Sequence, residues 1–174
     1  LRKYAYAYDA LNRLSSATYI KQGLMTGAYN ESVQYDKNGN ITGLQRNGDL
    51  DSESGAYIQI DDLKYTFLSG NQLLKIRDNS LHPAGFRDGI DQSAEYKYDI
   101  YGNIMTDDNK GIVVTYNHMN LPIQISFRTG QIINYLYDAS GKKLKKTIVS
   151  GTETTTTDYL SGFQYINGTL DLFP

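Results

Sequence analysis

Apolar and polar residues alternate along most of this chain with a period of two, and short polar runs break the alternation at recurring places. Successive side chains of a strand leave opposite faces, so this pattern predicts half-buried β-strands. The interrupting runs share one order. An aromatic residue, taken as position zero, is Tyr8, Tyr35, Phe67, Tyr98, Tyr116 or Tyr137, and the residue two places before it is always Tyr or Val. Asp or Asn follows at plus one in five of the six copies (Asp9, Asp36, Asp99, Asn117 and Asp138), with Leu68 the exception. Gly or Asn stands at plus four in all six: Asn12, Gly39, Asn71, Gly102, Asn120 and Gly141. No segment shows sustained helical periodicity, so very little helix is expected.

The order is that of a tight hairpin. Asp or Asn opening a type I turn accepts a hydrogen bond from the backbone two residues on. Gly, and less readily Asn, enters the left-handed region where other residues lose roughly 1–2 kcal/mol. A type I turn closed by such a residue is the usual three-residue hairpin loop with a bulge. The bulge sets position zero opposite plus six. That predicts the pairs Tyr8–Leu14, Tyr35–Ile41, Phe67–Leu73 and Tyr98–Ile104, each contributing roughly 0.2–1 kcal/mol relative to Ala–Ala. In the last two copies the aliphatic residue is displaced: Leu121 comes one place early and Leu144 one late.

Hairpins are therefore predicted over 1–20, 31–47, 57–78, 95–107, 112–127 and 131–149, the last three close enough to form a meander. Segments 47–56 and 79–94 read as irregular excursions. Thr154–Thr157 favours a strand by β-branching, and Asn167-Gly168 between apolar residues predicts a type I′ turn. The whole of 1–174 reads as one repeat array. A unit recurring every 20 to 30 residues or so moves function from a single pocket to an extended surface.

Composition narrows the function. A net charge of −2 and a pI near 5.6 argue against nucleic acid as a partner. No apolar run approaches the roughly 18 residues of a membrane-spanning helix. With no Cys, disulfides and thiolate metal sites are excluded. Lys142, Lys143, Lys145 and Lys146 form one basic cluster, read as a solvated face or as protection of a sheet edge. Asp36–Asn40 resembles the start of a calcium loop, but Ile41 and Asn47 stand where an EF-hand needs Gly and Glu. His82 and His118 have no orienting third group in the sequence. The four Glu, at 31, 53, 95 and 153, lie in or near polar stretches with no site motif. No catalytic, metal or cofactor site is expected, and the chain reads as non-enzymatic. The tyrosines, each a flat apolar face with a hydroxyl, are the one binding chemistry on offer, toward carbohydrate or a protein surface.

Tyr8-Asp9, Tyr35-Asp36, Tyr98-Asp99 and Tyr137-Asp138, with the Gly and Leu or Ile that follow, resemble the YD repeats of bacterial Rhs (rearrangement hotspot) proteins. Tyr116-Asn117-His118-Met119-Asn120-Leu121-Pro122 resembles a variant of the same repeat. Asp158–Gly168 resembles the segment that leads into the Rhs-associated core. The resemblance implies an all-β ribbon of consecutive antiparallel hairpins, part of a hollow shell that encloses a C-terminal toxin cargo in a secreted or surface bacterial protein. The cargo is released in such proteins by an aspartyl self-cleavage whose motif is not among these residues. Related repeats in wall-associated bacterial proteins and teneurins serve cell-surface contact. The chain begins with Leu1 and is expected to be a piece of such a parent, whose remaining chain and cargo would be its partners. An excised piece is expected to expose apolar edges and to pair edge to edge into dimers.

Overall fold

The hairpin pattern emerges as two sheets. The computed structural model describes residues 1–50, 55–68, 70–89 and 92–172, and the side chain of Leu50 is left aside. Contacts divide the chain into two compact units, Leu1–Glu95 and Tyr96–Pro174. The first holds β1 (Arg2–Tyr8), β2 (Leu14–Lys21), β3 (Glu31–Tyr35), β4 (Ile41–Leu50), β5 (Tyr57–Phe67) and β6 (Leu73–Asp78). These form one sheet in sequence order. The second holds β7 (Tyr96–Tyr98), β8 (Ile104–Asp107), β9 (Ile112–Tyr116), β10 (Pro122–Phe127) and β11 (Ile132–Tyr137). It continues through β12 (Lys143–Ser150), β13 (Glu153–Leu160), β14 (Phe163–Ile166) and β15 (Thr169–Leu172). This sheet is also a sequential meander, and every pairing in both sheets is antiparallel. The fold is all-β, with no helix among the described residues.

One register governs all six repeats. Position zero pairs with plus six as Tyr8↔Leu14, Tyr35↔Ile41, Phe67↔Leu73 and Tyr98↔Ile104. The two displaced copies obey the same rule, with Tyr116↔Pro122 and Tyr137↔Lys143. Their apolar residues have other duties. Leu121 sits in the turn, its N–H on Asn117 Oδ1 at 3.1 Å. Leu144 falls at plus seven, which every hairpin leaves unpaired because minus one pairs with plus eight, as in Leu136↔Lys145. The bulge thus spends a residue of the return strand as well as one of the turn.

Five of the six expected left-handed residues have positive φ: Asn12, Gly39, Gly102, Asn120 and Gly141. Asn71 does not. In that hairpin the positive φ (94°) falls on Gly70, one place earlier. Leu68 cannot act as an Asx acceptor, and Gly70 occupies the third place of the turn, where a type II turn requires positive φ. Asn167 and Gly168 both have positive φ, as a type I′ turn demands.

Two regions differ from the sequence pattern. β4 runs on to Leu50, into the segment expected to be a loop, and pairs with β5 through register shifts at Asn47 and Leu50. The lysine cluster lies on or beside β12, an interior strand between β11 and β13, so edge protection is not its role. Lys145 Nζ lies 3.1 Å from Asp158 and Lys143 Nζ sits over the Tyr135 ring. The segment after β6 has no strand but is firmly docked. Gly85 lies flat on β5, since a Cβ there would fall 1.8 Å from the Ile60 carbonyl oxygen.

Buried apolar side chains are few among the described residues. Ala17, Ile20, Ala28, Leu63 and Ile76 centre the first unit; Tyr96 and Val114 serve the second. The second sheet leaves Val113, Leu136 and Leu160 more than half exposed.

Candidate functional site

The repeated residues assemble into a structural device at the turns. In each of five hairpins one side-chain oxygen at plus one accepts the backbone N–H groups of plus three and plus five. Asp9 Oδ1 takes Leu11 and Arg13; Asp36 Oδ1 takes Asn38 and Asn40. Asp99 Oδ1 takes Tyr101 and Asn103, Asn117 Oδ1 takes Met119 and Leu121, and Asp138 Oδ1 takes Ser140 and Lys142. These donors hold the carboxyls of Asp9, Asp36, Asp99 and Asp138 below the usual value of 3.8. The leading cause is the Arg13 backbone N–H for Asp9, and the side chains of Asn40, Asn103 and Ser140 for the other three.

In three hairpins the plus-five residue, which the sequence pattern did not single out, ties one hairpin to the next. Asn40 Nδ2 donates to Asp36 Oδ2 at 2.9 Å and to Asn71 Oδ1 of the following turn at 3.0 Å. Asn103 repeats this with Asp99 and Asn120, at 2.8 and 2.9 Å. Arg13 binds Asp9 Oδ2 at 2.7 Å, donates to the Asp36 carbonyl at 3.1 Å and lies over the Tyr35 ring. Asn71 therefore serves as an acceptor rather than as a left-handed residue. The repeated Gly-Asn pair, Gly39-Asn40 and Gly102-Asn103, was the available signal.

Tyrosines at position zero make a second tie. The hydroxyl of Tyr35 donates to the Leu14 carbonyl at 3.0 Å, that of Tyr116 to Ile104 at 2.8 Å and that of Tyr137 to Pro122 at 3.0 Å. Each acceptor is the plus-six carbonyl of the preceding hairpin. Burial raises the Tyr116 and Tyr137 hydroxyls above their ordinary value of 10.0, with Asp99 and Tyr135 as secondary causes. These tyrosines are thus committed to holding the sheet.

The open aromatic surface lies elsewhere, on β1, β2 and the segment before β3. Tyr4 stacks on Tyr6 with ring centroids 6.0 Å apart and meets Tyr19 at 5.3 Å; Tyr19 meets Tyr29 edge-on at 5.3 Å. Every residue of β1 is exposed, Tyr6 and Tyr8 each to 57%. Among the described residues no strand pairs with the outer edge of β1.

The opposite edge of the same sheet is treated differently. Asp78 N–H donates to Asp88 Oδ2 at 3.0 Å, Ile76 N–H to Glu95 Oε2 at 3.0 Å, and Glu95 N–H to the Leu74 carbonyl at 2.9 Å. Carboxylates from the segment after β6 therefore take edge N–H groups that a further strand would otherwise use. Asp61, Asp78 and Glu95 are fully buried, and Asp61 is paired with Arg46 at 2.6 Å. Glu95, which the sequence left in a polar stretch, is part of this clasp.

The remaining candidates have local roles. His82 Nδ1 accepts the Ala84 N–H at 3.2 Å and His118 is exposed in its turn. Asp36 is saturated by its own turn. Among the described residues no group of three or more His, Cys, Asp or Glu is arranged to hold a metal ion.

The geometry defines a class: an antiparallel meander whose hairpins are stitched to their neighbours at the turns. Solved structures share the fold. The chain aligns over 95% of its length, at 14% identity, with a crystal structure of TcdB2-TccC3-Cdc42 (TM-score 0.56) and one of TcdB2-TccC3-TEV (TM-score 0.57). It aligns equally, at TM-score 0.57 and 14% identity, with a structure of the Photorhabdus luminescens Tc holotoxin pore carrying a TccC3 mutation. The chain spans about 10% of the length of each of these chains. At this identity the likeness is one of fold. No family model and no curated protein matches the chain.

Proposed function

We propose that this chain is a non-enzymatic wall segment of a larger Rhs-type, YD-repeat protein, secreted or surface-displayed by a bacterium, in which its sheets help enclose a C-terminal toxin cargo. The observation that carries this reading is the stitch between hairpins. In the first, second and fourth hairpins the turn spends its polar groups on itself and on the next turn, which binds successive hairpins into a sheet. The shared fold with chains of Tc toxin complexes, which are some ten times longer, supports the same reading. β1 is the natural place for the sheet to continue, since no described strand pairs with its outer edge while β6 is clasped. The test is protease protection in the parent protein. Cargo that survives digestion in the intact parent should be degraded when residues 1–174 are deleted; equal survival would refute a wall function.

One observation favours a second reading, a carbohydrate- or protein-binding module. The Tyr4, Tyr6, Tyr19 and Tyr29 cluster is open to solvent and lies beside Arg2 and Lys3. Binding of the 174-residue protein to a glycan or surface-protein array, abolished by Tyr4→Ala, would promote that reading.

A further inference from the structure

We infer that one face of β1 and β2, with the turn that follows β2, is a docking surface for an anionic phospholipid bilayer. Residues paired across antiparallel strands present their side chains on the same face, and so do residues two apart on one strand. Arg2 pairs with Lys21 and Tyr4 with Tyr19, and Lys21 pairs again with Leu24. Leu24, Lys21 and Arg2 therefore form one row of a face whose next row is Tyr19 and Tyr4, with Tyr6 beyond. Tyr29 closes the patch against Tyr19.

The turn holds its apolar tip outward. Lys21 and Leu24 exchange both backbone hydrogen bonds, at 3.1 and 3.0 Å. Gln22 and Gly23 between them both have positive φ, as in a type I′ turn. Further on, Ala28 is buried and Asn47 Nδ2 donates to the Gly27 carbonyl at 2.8 Å. Between these anchors Leu24 and Met25 stay 66% and 72% exposed. A lone exposed Leu is ordinary, but here aliphatic, aromatic and cationic side chains share one patch. Arg2 and Lys21 are like charges set directly opposite, an arrangement that is destabilising until an anion joins them. They line a recess of about 140 Å³ with Tyr19, Thr26, Tyr29 and Asp49. The Asp49 carboxylate is engaged by the Tyr29 hydroxyl, and Glu31 lies farther off, opposite Ala17.

A bilayer surface supplies every partner at once. Its phosphates suit Arg2 and Lys21, its headgroup layer is where tyrosine rings settle, and its hydrocarbon takes Leu24 and Met25. A nucleic acid offers nothing to the aliphatic tip. Backbone pairing at the outer edge of β1 lies in the plane of the sheet and leaves this face open, so the inference is independent of the wall reading. It gives the open tyrosine cluster lipid as its occupant in place of a carbohydrate or a protein.

The test is co-sedimentation of the 174-residue protein with vesicles of phosphatidylglycerol and phosphatidylcholine in equal parts, and with vesicles of phosphatidylcholine alone. The protein should partition onto the anionic vesicles, less onto the neutral ones, and less onto either as salt is raised. Lys21→Glu should weaken binding to the anionic vesicles by about tenfold or more. That variant faces Arg2 with the opposite charge, so its fold is secure. Leu24→Ser with Met25→Ser, both exposed, should weaken binding to a similar degree. Lys142→Glu, in the other basic cluster, should change it by less than about threefold. No partition onto either vesicle, equal partition onto both, or binding lost with Lys142→Glu and kept with Lys21→Glu would overturn the assignment.

Discussion

The Tyr116 hydroxyl donates to the carbonyl oxygen of Ile104 at 2.8 Å, and so joins the aromatic of one hairpin to the return strand of the hairpin before it. Tyr35 and Tyr137 do the same with Leu14 and Pro122. Phe67 occupies the same repeat position without a hydroxyl. Tyr116→Phe should therefore cost about 0.5–1.5 kcal/mol, the net worth of one intramolecular hydrogen bond. Phe67→Tyr should gain stability by installing the missing tie to the Ile41 carbonyl. Urea unfolding midpoints of the two variants check both signs; a destabilising Phe67→Tyr would show that the tie is not a general feature of the repeat.

The turn carboxylates make stability depend on pH. Asp9, Asp36, Asp99 and Asp138 titrate below their ordinary value of 3.8 in the folded chain. Depressed values mean that the unfolded chain binds the proton more readily. The stabilisation is thus complete above about 3.8 and is lost as pH falls through the lower folded values. Replacing Asp36, Asp99 and Asp138 together by Asn should flatten the acid limb of thermal stability. The turns should survive, because Asn117 already accepts both backbone N–H groups through an amide oxygen. An unchanged acid limb would point to other groups.

At the third hairpin the strain sits on Gly70 and not on Asn71. Gly70→Ala should cost roughly 1–2 kcal/mol, since φ of 94° excludes a side chain at little less. Asn71→Ala should cost less, losing only the bond from Asn40. Thermal melts of the two variants rank them, and the reverse order would contradict the turn geometry.

Much of this architecture is legible in the sequence because turn chemistry is local. Asp at plus one and Gly or Asn at plus four fix the loop, and the loop fixes Tyr98 opposite Ile104. The two displaced copies follow the same rule: Leu121 and Leu144 fall one place from plus six, and loop geometry outranks hydrophobicity and assigns Pro122 and Lys143. What joins hairpins was not legible. The reach of Asn40 to Asn71, or of Glu95 to Ile76, depends on residues far apart in sequence, and no short-range period announces it. The segment after β6 looked irregular because its work is done by carboxylates on edge N–H groups, a pattern without periodicity.

The clasp on β6 is itself testable. Asp88→Ala leaves the outer-edge N–H of Asp78 without its acceptor, and should cost about 1–3 kcal/mol. Gly85→Ala forces the segment off the Ile60 carbonyl. Either variant should speed amide exchange at Ile76 and Asp78 and promote self-association in sedimentation velocity by freeing a sheet edge. A monomer with unchanged exchange would show that the carboxylates do not guard the edge.

The claim that this chain is one stretch of a longer stitched sheet is tested most directly at β1, by amide hydrogen exchange. In the isolated 174-residue protein the N–H groups of Arg2–Tyr8 that point away from β2 face solvent and should exchange rapidly. In the intact parent protein they should be slowed by about a hundredfold or more, as a neighbouring strand pairs with them and a carbonyl of that strand meets the Tyr8 hydroxyl. Equal rates in the isolated chain and in the parent would contradict the account.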